Sequence, residues 1–259
     1  MRSRRTIQPM QLKEVIRAVL PNTVKPHSIL AGPLQGARIY TSWHDYPGAI
    51  LGTTERPLLE WFHDHVSPGD TWIDVGAHYG YTAIALCRLV GGMGRVIAFE
   101  PVLSTAGCVA RTRELNGLRQ LQVVPLGLGC PAGLETRCLP TVRGMADSTI
   151  PPGAWEERIS VASFETVWPL LCEQNPAVHG VKIDVQGMEL DVIEGMRDTL
   201  RAQHPKLIVE FHSGVDRSRA LELLSSCGYG PGAAIDTVRG GSLYQDDKSY
   251  LFLNECAAL

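Results

Sequence analysis

Thr71-Trp72-Ile73-Asp74-Val75-Gly76-Ala77-His78-Tyr79-Gly80-Tyr81-Thr82-Ala83 carries the pattern on which the fold is read. A short run of branched and aromatic residues predicts a buried strand, a D-x-G-x-x-x-G turn follows it, and a helical pattern follows the turn. Gly76 and Gly80 are expected to adopt positive φ and to let backbone pass close to a ligand with no Cβ in the way. Asp74 falls at the carboxyl end of the strand, where ligands of open α/β sheets bind. A dinucleotide loop would read G-x-G-x-x-G and seat a pyrophosphate on the helix amino terminus. Here the first glycine is missing and an acid stands in the turn. This disfavours a nicotinamide oxidoreductase and suits a ligand with a cationic amino acid moiety and no phosphate, as in S-adenosylmethionine.

The next strand candidate, Arg95-Val96-Ile97-Ala98-Phe99-Glu100-Pro101, supports that choice. Glu100 ends it, 20 positions after Gly80. A carboxylate there is expected to accept both ribose hydroxyls, with Ala77, His78 and Pro101 beside it in the cofactor site. Taken singly, Asp74 and Glu100 also fit ordinary capping or surface acids. At the ends of consecutive strands, they fit a cofactor site.

Strand and helix patterns alternate onward from Thr71. Apolar runs at 71–75, 96–99, 121–125, 181–185 and 207–211 are each followed by a turn or a helical pattern. Such alternation predicts an α/β fold with a mostly parallel, Rossmann-like sheet covered on both faces. Two more candidates, around 233–238 and 250–253, fit a closing hairpin with an antiparallel last strand. Upstream, Leu12, Val15, Ile16 and Val19 predict an amphipathic helix over 11–20. Short strand-like pieces between Ser28 and Gly52 predict a hairpin, and 57–66 reads as a helix closed by Pro68-Gly69. The expected organisation is an amino-terminal helix and hairpin cap over 1–56 and a Rossmann-like domain over 57–259.

With 44% hydrophobic and 20% charged residues, and no apolar run long enough to span a bilayer, the chain reads as a soluble globular protein. No signal-like segment follows Met1-Arg2-Ser3-Arg4-Arg5, so a cytoplasmic location is expected, and the arginines read as a solvated tail. Against 24 basic residues stand 27 acidic ones. That balance lacks the footprint of a nucleic-acid binder. Seven cysteines form no CxxC and no close pair, which suggests neither a disulfide framework nor a zinc site. Cys87 reads as a small core residue.

With Asp74-Val75-Gly76-Ala77-His78 and Val181-Lys182-Ile183-Asp184-Val185-Gln186-Gly187-Met188-Glu189 both in view, the chain resembles the FkbM family of methyltransferases over roughly residues 50 to 215. Gly52 and Glu55 match a glycine and a glutamate that the family places before the first strand. Phe99-Glu100-Pro101 matches its F-E-P, and Val209-Glu210-Phe211-His212 its V-E-x-H. The resemblance implies a class I methyltransferase fold with a seven-stranded sheet and O-methylation of sugars, lipids or polyketide-type metabolites. Gln186 departs from the pattern, which has glutamate there. Pro125-Leu126-Gly127-Leu128-Gly129 lacks the acid that many relatives place near the adenine, so base recognition is expected to use backbone and apolar packing.

Lys182 and Asp184 alternate along one strand and face one side, as do Glu210 and His212 on the next. All four are catalytic candidates at the carboxyl edge. Methyl transfer from a sulfonium needs alignment and somewhere for the hydroxyl proton to go, and Asp184 or His212 fits that need. Asp184 also fits a purely orienting role. Asp184, Glu210 and His212 together offer hard oxygen and imidazole ligands, though a divalent metal is not expected. Glu189 is accounted for by the helix dipole, and Lys182 fits the counterion of a buried acid as well as a catalytic part. The expected partner is a small-molecule hydroxyl substrate, with a homo-oligomer left open. A non-catalytic S-adenosylmethionine-binding or scaffold protein remains the alternative reading.

Overall fold

The computed structural model describes residues 19–151, 155–173, 175–235 and 245–254. Its centre is β3 (Thr71–Val75), buried at all five positions. Around it lie β4 (Arg95–Phe99), β5 (Leu121–Val124), β10 (Gly180–Ile183), β11 (Lys206–Phe211), β12 (Ala233–Ala234) and β13 (Lys248–Phe252). The order across this seven-stranded sheet is β12-β13-β11-β10-β3-β4-β5. Pairings from β11 to β5 are parallel, while β13 runs antiparallel to both β11 and β12. The expected closing hairpin is therefore present. Its first strand is described only at Ala233–Ala234, and the helix expected over 11–20 falls almost wholly outside the described residues.

Alternation along the strands separates two cores. Trp72, Val96 and Ala98 join one apolar cluster, and Ile73, Val75, Ile97 and Phe99 join the other, because successive side chains leave a strand on opposite faces. The first face is covered by α2 (Arg56–His65), α3 (Tyr81–Val90) and α4 (Leu103–Asn116). The second is covered by α5 (Phe164–Leu171), α6 (Glu189–Gly195), α7 (Arg197–Gln203) and α8 (Arg217–Ser226). Side chains set two of these starts: Ser163 accepts from the Thr166 N–H, and Asp216 from the Arg219 N–H. No helix among the described residues is long and apolar enough to cross a membrane.

The amino-terminal hairpin joins β1 (Lys25–Ser28) to β2 (Arg38–Thr41), with Lys25 opposite Thr41. Ile29, Ile39 and Ile50 lie in the same core as Trp72 and Ile84. The segment leads through the short helix α1 (Pro47–Leu51) to Glu55. A second sheet, with the order β6-β9-β7-β8, was not apparent from the sequence. It comprises β6 (Gly127–Leu128), β7 (Glu135–Val142), β8 (Met145–Ala146) and β9 (Glu156–Ala162). Its long strand alternates half-buried and exposed residues and contains Pro140, so it lacks the continuous apolar run that marked the central strands.

The strand expected over 181–185 ends at Ile183, and the turn after it reaches positive φ at Gln186 and Gly187. Gly76 also has positive φ, +81°. Its close neighbour is protein and not a ligand-facing space: a Cβ there would overlap the Asp184 carbonyl oxygen. The glycine thus lets the β3 and β10 turns pack together. Gly69 has a similar φ, +92°, and open space around it. Gly69→Ala should therefore cost about 1 kcal/mol, the left-handed penalty alone. Gly76→Ala should cost about 3 kcal/mol or more in urea unfolding, because strain and overlap combine. Equal losses at the two positions would refute the packing role.

Candidate functional site

The chain leaves β3 toward β4 on one side and β10 toward β11 on the other, so the turns after β3 and β10 diverge and open a crevice at the switch point. The crevice is a cavity lined by Gly76, Ala77, His78, Glu100 and Pro101 on the β3–β4 side. Leu126, Gly127 and Leu128 continue that wall. Lys182, Asp184, Gln186 and Glu210 form the opposite edge. Asp45, Tyr46 and Glu55 come from the amino-terminal segment, and Arg143, Met145 and Ala146 from the small sheet.

Glu100 is 3% exposed, with both oxygens held by backbone: Oε2 accepts from the His78 N–H at 2.9 Å and Oε1 from the Val102 N–H at 3.0 Å. Each oxygen keeps a further lone pair, which suits a vicinal diol. Burial pushes the carboxyl up to about 8, against the two N–H donors that favour the anion. Burial also lowers the His78 imidazole to about 4, so the ring is neutral and its Nε2–H donates to the Arg143 carbonyl at 3.0 Å. That bond ties the small sheet to the glycine loop. The Tyr46 ring lies 4.8 Å from the His78 ring.

The opposite edge is built on charge. Lys182, 3% exposed, has its Nζ 3.1 Å from Asp184 Oδ2 and 3.7 Å from Asp74 Oδ1. Burial disfavours its charge, but Asp184, Asp74 and Glu55 outweigh this and hold the ammonium well above its ordinary range. Burial raises the Asp184 carboxyl, yet Lys182 and His212 outweigh it and keep that group below the usual carboxylate range. Burial and the neighbouring Asp184 push Glu210 up to about 8. Burial lowers His212, but the Glu189 hydrogen bond together with the charges on Asp184 and Glu210 lifts it to about 9. His212 Nδ1 lies 2.7 Å from Glu189 Oε1, and its Nε2 lies 2.8 Å from the Gln186 side-chain amide.

Eight of the residues anticipated from sequence thus share one cavity: Gly76, Ala77, His78, Glu100, Pro101, Lys182, Asp184 and Glu210. Three do not line it. Asp74 is wholly buried, accepts from Thr82 Oγ1 at 2.7 Å and faces Lys182, so it supports the lining from behind. Gly80 caps α3, with Val109 beside it. His212 is 5% exposed and stands against Gln186. Glu189, assigned to the helix dipole from sequence, is instead a buried partner of His212. Tyr46, Tyr81, Thr82 and Arg143 belong to the lining and carried no motif. Four of the seven non-glycine residues with positive φ among the described residues, Glu55, His78, Arg143 and Gln186, line this cavity. Strained backbone gathers where a site over-determines it.

The residues fit S-adenosylmethionine. Glu100 keeps a lone pair on each oxygen for a vicinal diol, and the acids around Lys182 suit a cationic ligand. The buried Tyr81 hydroxyl and Asp184 Oδ1 have no hydrogen-bond partner among the described residues.

Comparison with known proteins agrees. The family model for the methyltransferase FkbM domain matches residues 74–231. The hexuronic acid methyltransferase AglP of Haloferax volcanii is 27% identical over 177 residues, 66% of this chain and 68% of its own. Methyltransferase FkbM from Methylobacillus flagellatus KT superposes with a TM-score of 0.50 at 18% identity, over 75% of this chain. The present chain spans 50% of the length of that structure. An rRNA methylase from Streptococcus thermophilus also gives 0.50, at 8% identity, covering 80% of this chain and 99% of that one. At such identities the structural likeness shows the fold alone, and that fold is the class I methyltransferase one.

If Glu100 accepts both ribose hydroxyls as an anion, cofactor binding must release its proton at pH values below about 8. Affinity for S-adenosylmethionine should then tighten with rising pH, by about tenfold per unit up to that point. Calorimetry between pH 6 and 9 measures this. Glu100→Gln should bind more weakly and lose the slope; a slope that survives the substitution would assign the proton to another group.

Proposed function

Because the chain belongs to the FkbM methyltransferase family, whose domain model matches more than half of it, we propose that it methylates a hydroxyl of a sugar or sugar-like small molecule with S-adenosylmethionine as donor. The observation that carries the proposal is one cavity with the Glu100 carboxyl on one wall and the Lys182–Asp184–Glu210 edge on the other. When bound, S-adenosylmethionine supplies an electrophilic methyl group on a sulfonium. Glu100 and the turn from Gly76 to His78 hold the donor side. The acceptor side has polar side chains on several elements, including Asp45, Glu55 and Arg143, which suits a molecule with several hydroxyls. The name of the Haloferax relative, a hexuronic acid methyltransferase, points to the same class.

Asp184 has the central part at the acceptor edge. Lys182 holds it as an anion, with Oδ1 buried and open to a donor. It accepts the hydrogen bond of the acceptor hydroxyl and so aligns a lone pair of that oxygen for an in-line displacement. Once the methyl carbon has passed from sulfur to this oxygen, with S-adenosylhomocysteine as the leaving thioether, the oxygen is a far stronger acid than the starting alcohol. Even a carboxylate held below its usual range then takes the proton, which passes on to solvent. Lys182 itself stays charged throughout and acts by holding Asp184 in place.

Purified protein incubated with methyl-labelled S-adenosylmethionine and a panel of hexoses, hexuronic acids, lipids and phenols should label a carbohydrate hydroxyl. Cofactor binding without transfer to any of them would leave a binder and not an enzyme. Asp184→Asn keeps the shape and removes the charge. Its kcat should fall by about 10²–10⁴-fold while cofactor Kd stays nearly unchanged. Full turnover by that variant at saturating acceptor would remove Asp184 from the reaction.

A further inference from the structure

The ends of β10 and β11 bring Asp184, Glu210 and His212 together, with one ligand-type atom of each within 4.8 Å of the others. Lys182 engages Oδ2 of Asp184, while Oδ1 is buried and has no hydrogen-bond partner among the described residues. The imidazole is aimed by a second carboxylate. Glu189, wholly buried, binds Nδ1 at 2.7 Å and so turns Nε2 toward Asp184 Oδ1 at 3.6 Å and Glu210 Oε1 at 3.8 Å. A carboxylate fixing the far nitrogen is the arrangement that orients metal-binding histidines. Asp74, Asp184, Glu55 and Glu210 all act on Lys182, and Glu189 stands beside His212.

We propose that Asp184 Oδ1, Glu210 Oε1 and His212 Nε2 form a site for one divalent cation. Two donors about 2.1 Å from a single ion at a tetrahedral angle stand about 3.4 Å apart, so the two separations from His212 Nε2 need only a small contraction. A nitrogen donor with two carboxylate oxygens favours Mn²⁺ or Zn²⁺ over Ca²⁺, which takes six or more oxygens. The Gln186 amide nitrogen lies 2.8 Å from Nε2, so an ion on Nε2 requires that side chain to turn aside. Asp184 Oδ1 keeps a second lone pair for the acceptor hydroxyl, whose pKa a neighbouring ion would lower. That purpose rests on the methyl-transfer reading, whereas the binding itself does not.

The test uses the full chain without S-adenosylmethionine, titrated with Mn²⁺ and followed by the electron paramagnetic resonance of the free ion. One ion per chain should bind with a Kd tighter than about 10⁻³ M. Pulsed spectra of the bound ion should show coupling to a single imidazole nitrogen. Glu210→Gln and His212→Asn should each weaken binding by tenfold or more, with folding checked by circular dichroism. Glu222→Gln, on the exposed side of α8, should leave binding unchanged. Calorimetry with Zn²⁺ and Mg²⁺ covers the other ions. The site is refuted if none of the three ions saturates, if bound Mn²⁺ shows no nitrogen coupling, or if Glu210→Gln titrates like the unmodified protein. Because no cofactor is present, those outcomes leave the methyl-transfer reading standing; failed transfer with normal Mn²⁺ binding would do the reverse.

Discussion

A single buried ammonium organises this molecule. Lys182 lies on a central strand, directly opposite Asp74 in the parallel pairing of β10 with β3. An unpaired charge at that depth would cost several kcal/mol, so the pair constrains how the two strands align. A slip of one residue would turn Lys182 into an apolar core and bring Ile183 or Val181 round to the acids. The register that satisfies the lysine is also the one that delivers Asp184 to the crevice just past the strand end. Fold and site therefore share one electrostatic requirement. The close approach of the Gly76 turn to the Asp184 carbonyl holds the same two strand ends together through shape.

A second layer of acids supports the first. Asp74 never reaches the cavity, yet it braces both Thr82 and Lys182, which do. Glu189 stands behind His212 in a comparable way. Several acids here are thus supports for other charged groups and not contacts for a small molecule. Asp184, held as an anion in front of them, leaves this edge of the crevice suited to a cationic ligand.

What could be read from the sequence follows from how each signal arises. The central strands were legible because burial on both faces demands unbroken apolar runs, as in Val96-Ile97-Ala98-Phe99. Glu100 was legible because it ends such a run after a glycine turn. The small sheet was not, since Glu135, Arg137 and Pro140 break up a strand that is only half buried. Glu189 was hidden by an adequate local explanation, an acid in the first turn of a helix, although its partner lies 23 residues along the chain. Asp74 was recognisable as important from its neighbours in sequence. That it braces a lysine far along the chain, and not a ligand, depends on strand order, which no local pattern encodes.

The His78 imidazole is fastened to the carbonyl of Arg143, in the small sheet inserted between β5 and α5. The roof of the crevice is therefore an insert that contributes no strand to the main sheet and packs on the floor through Ala146, Ile159 and Val161 against Val102. The strands of this insert take no part in the pairing of β3 with β4 and β10. The groups that the roof presents to the crevice are in this way set by a different part of the chain from the strand register that the floor depends on.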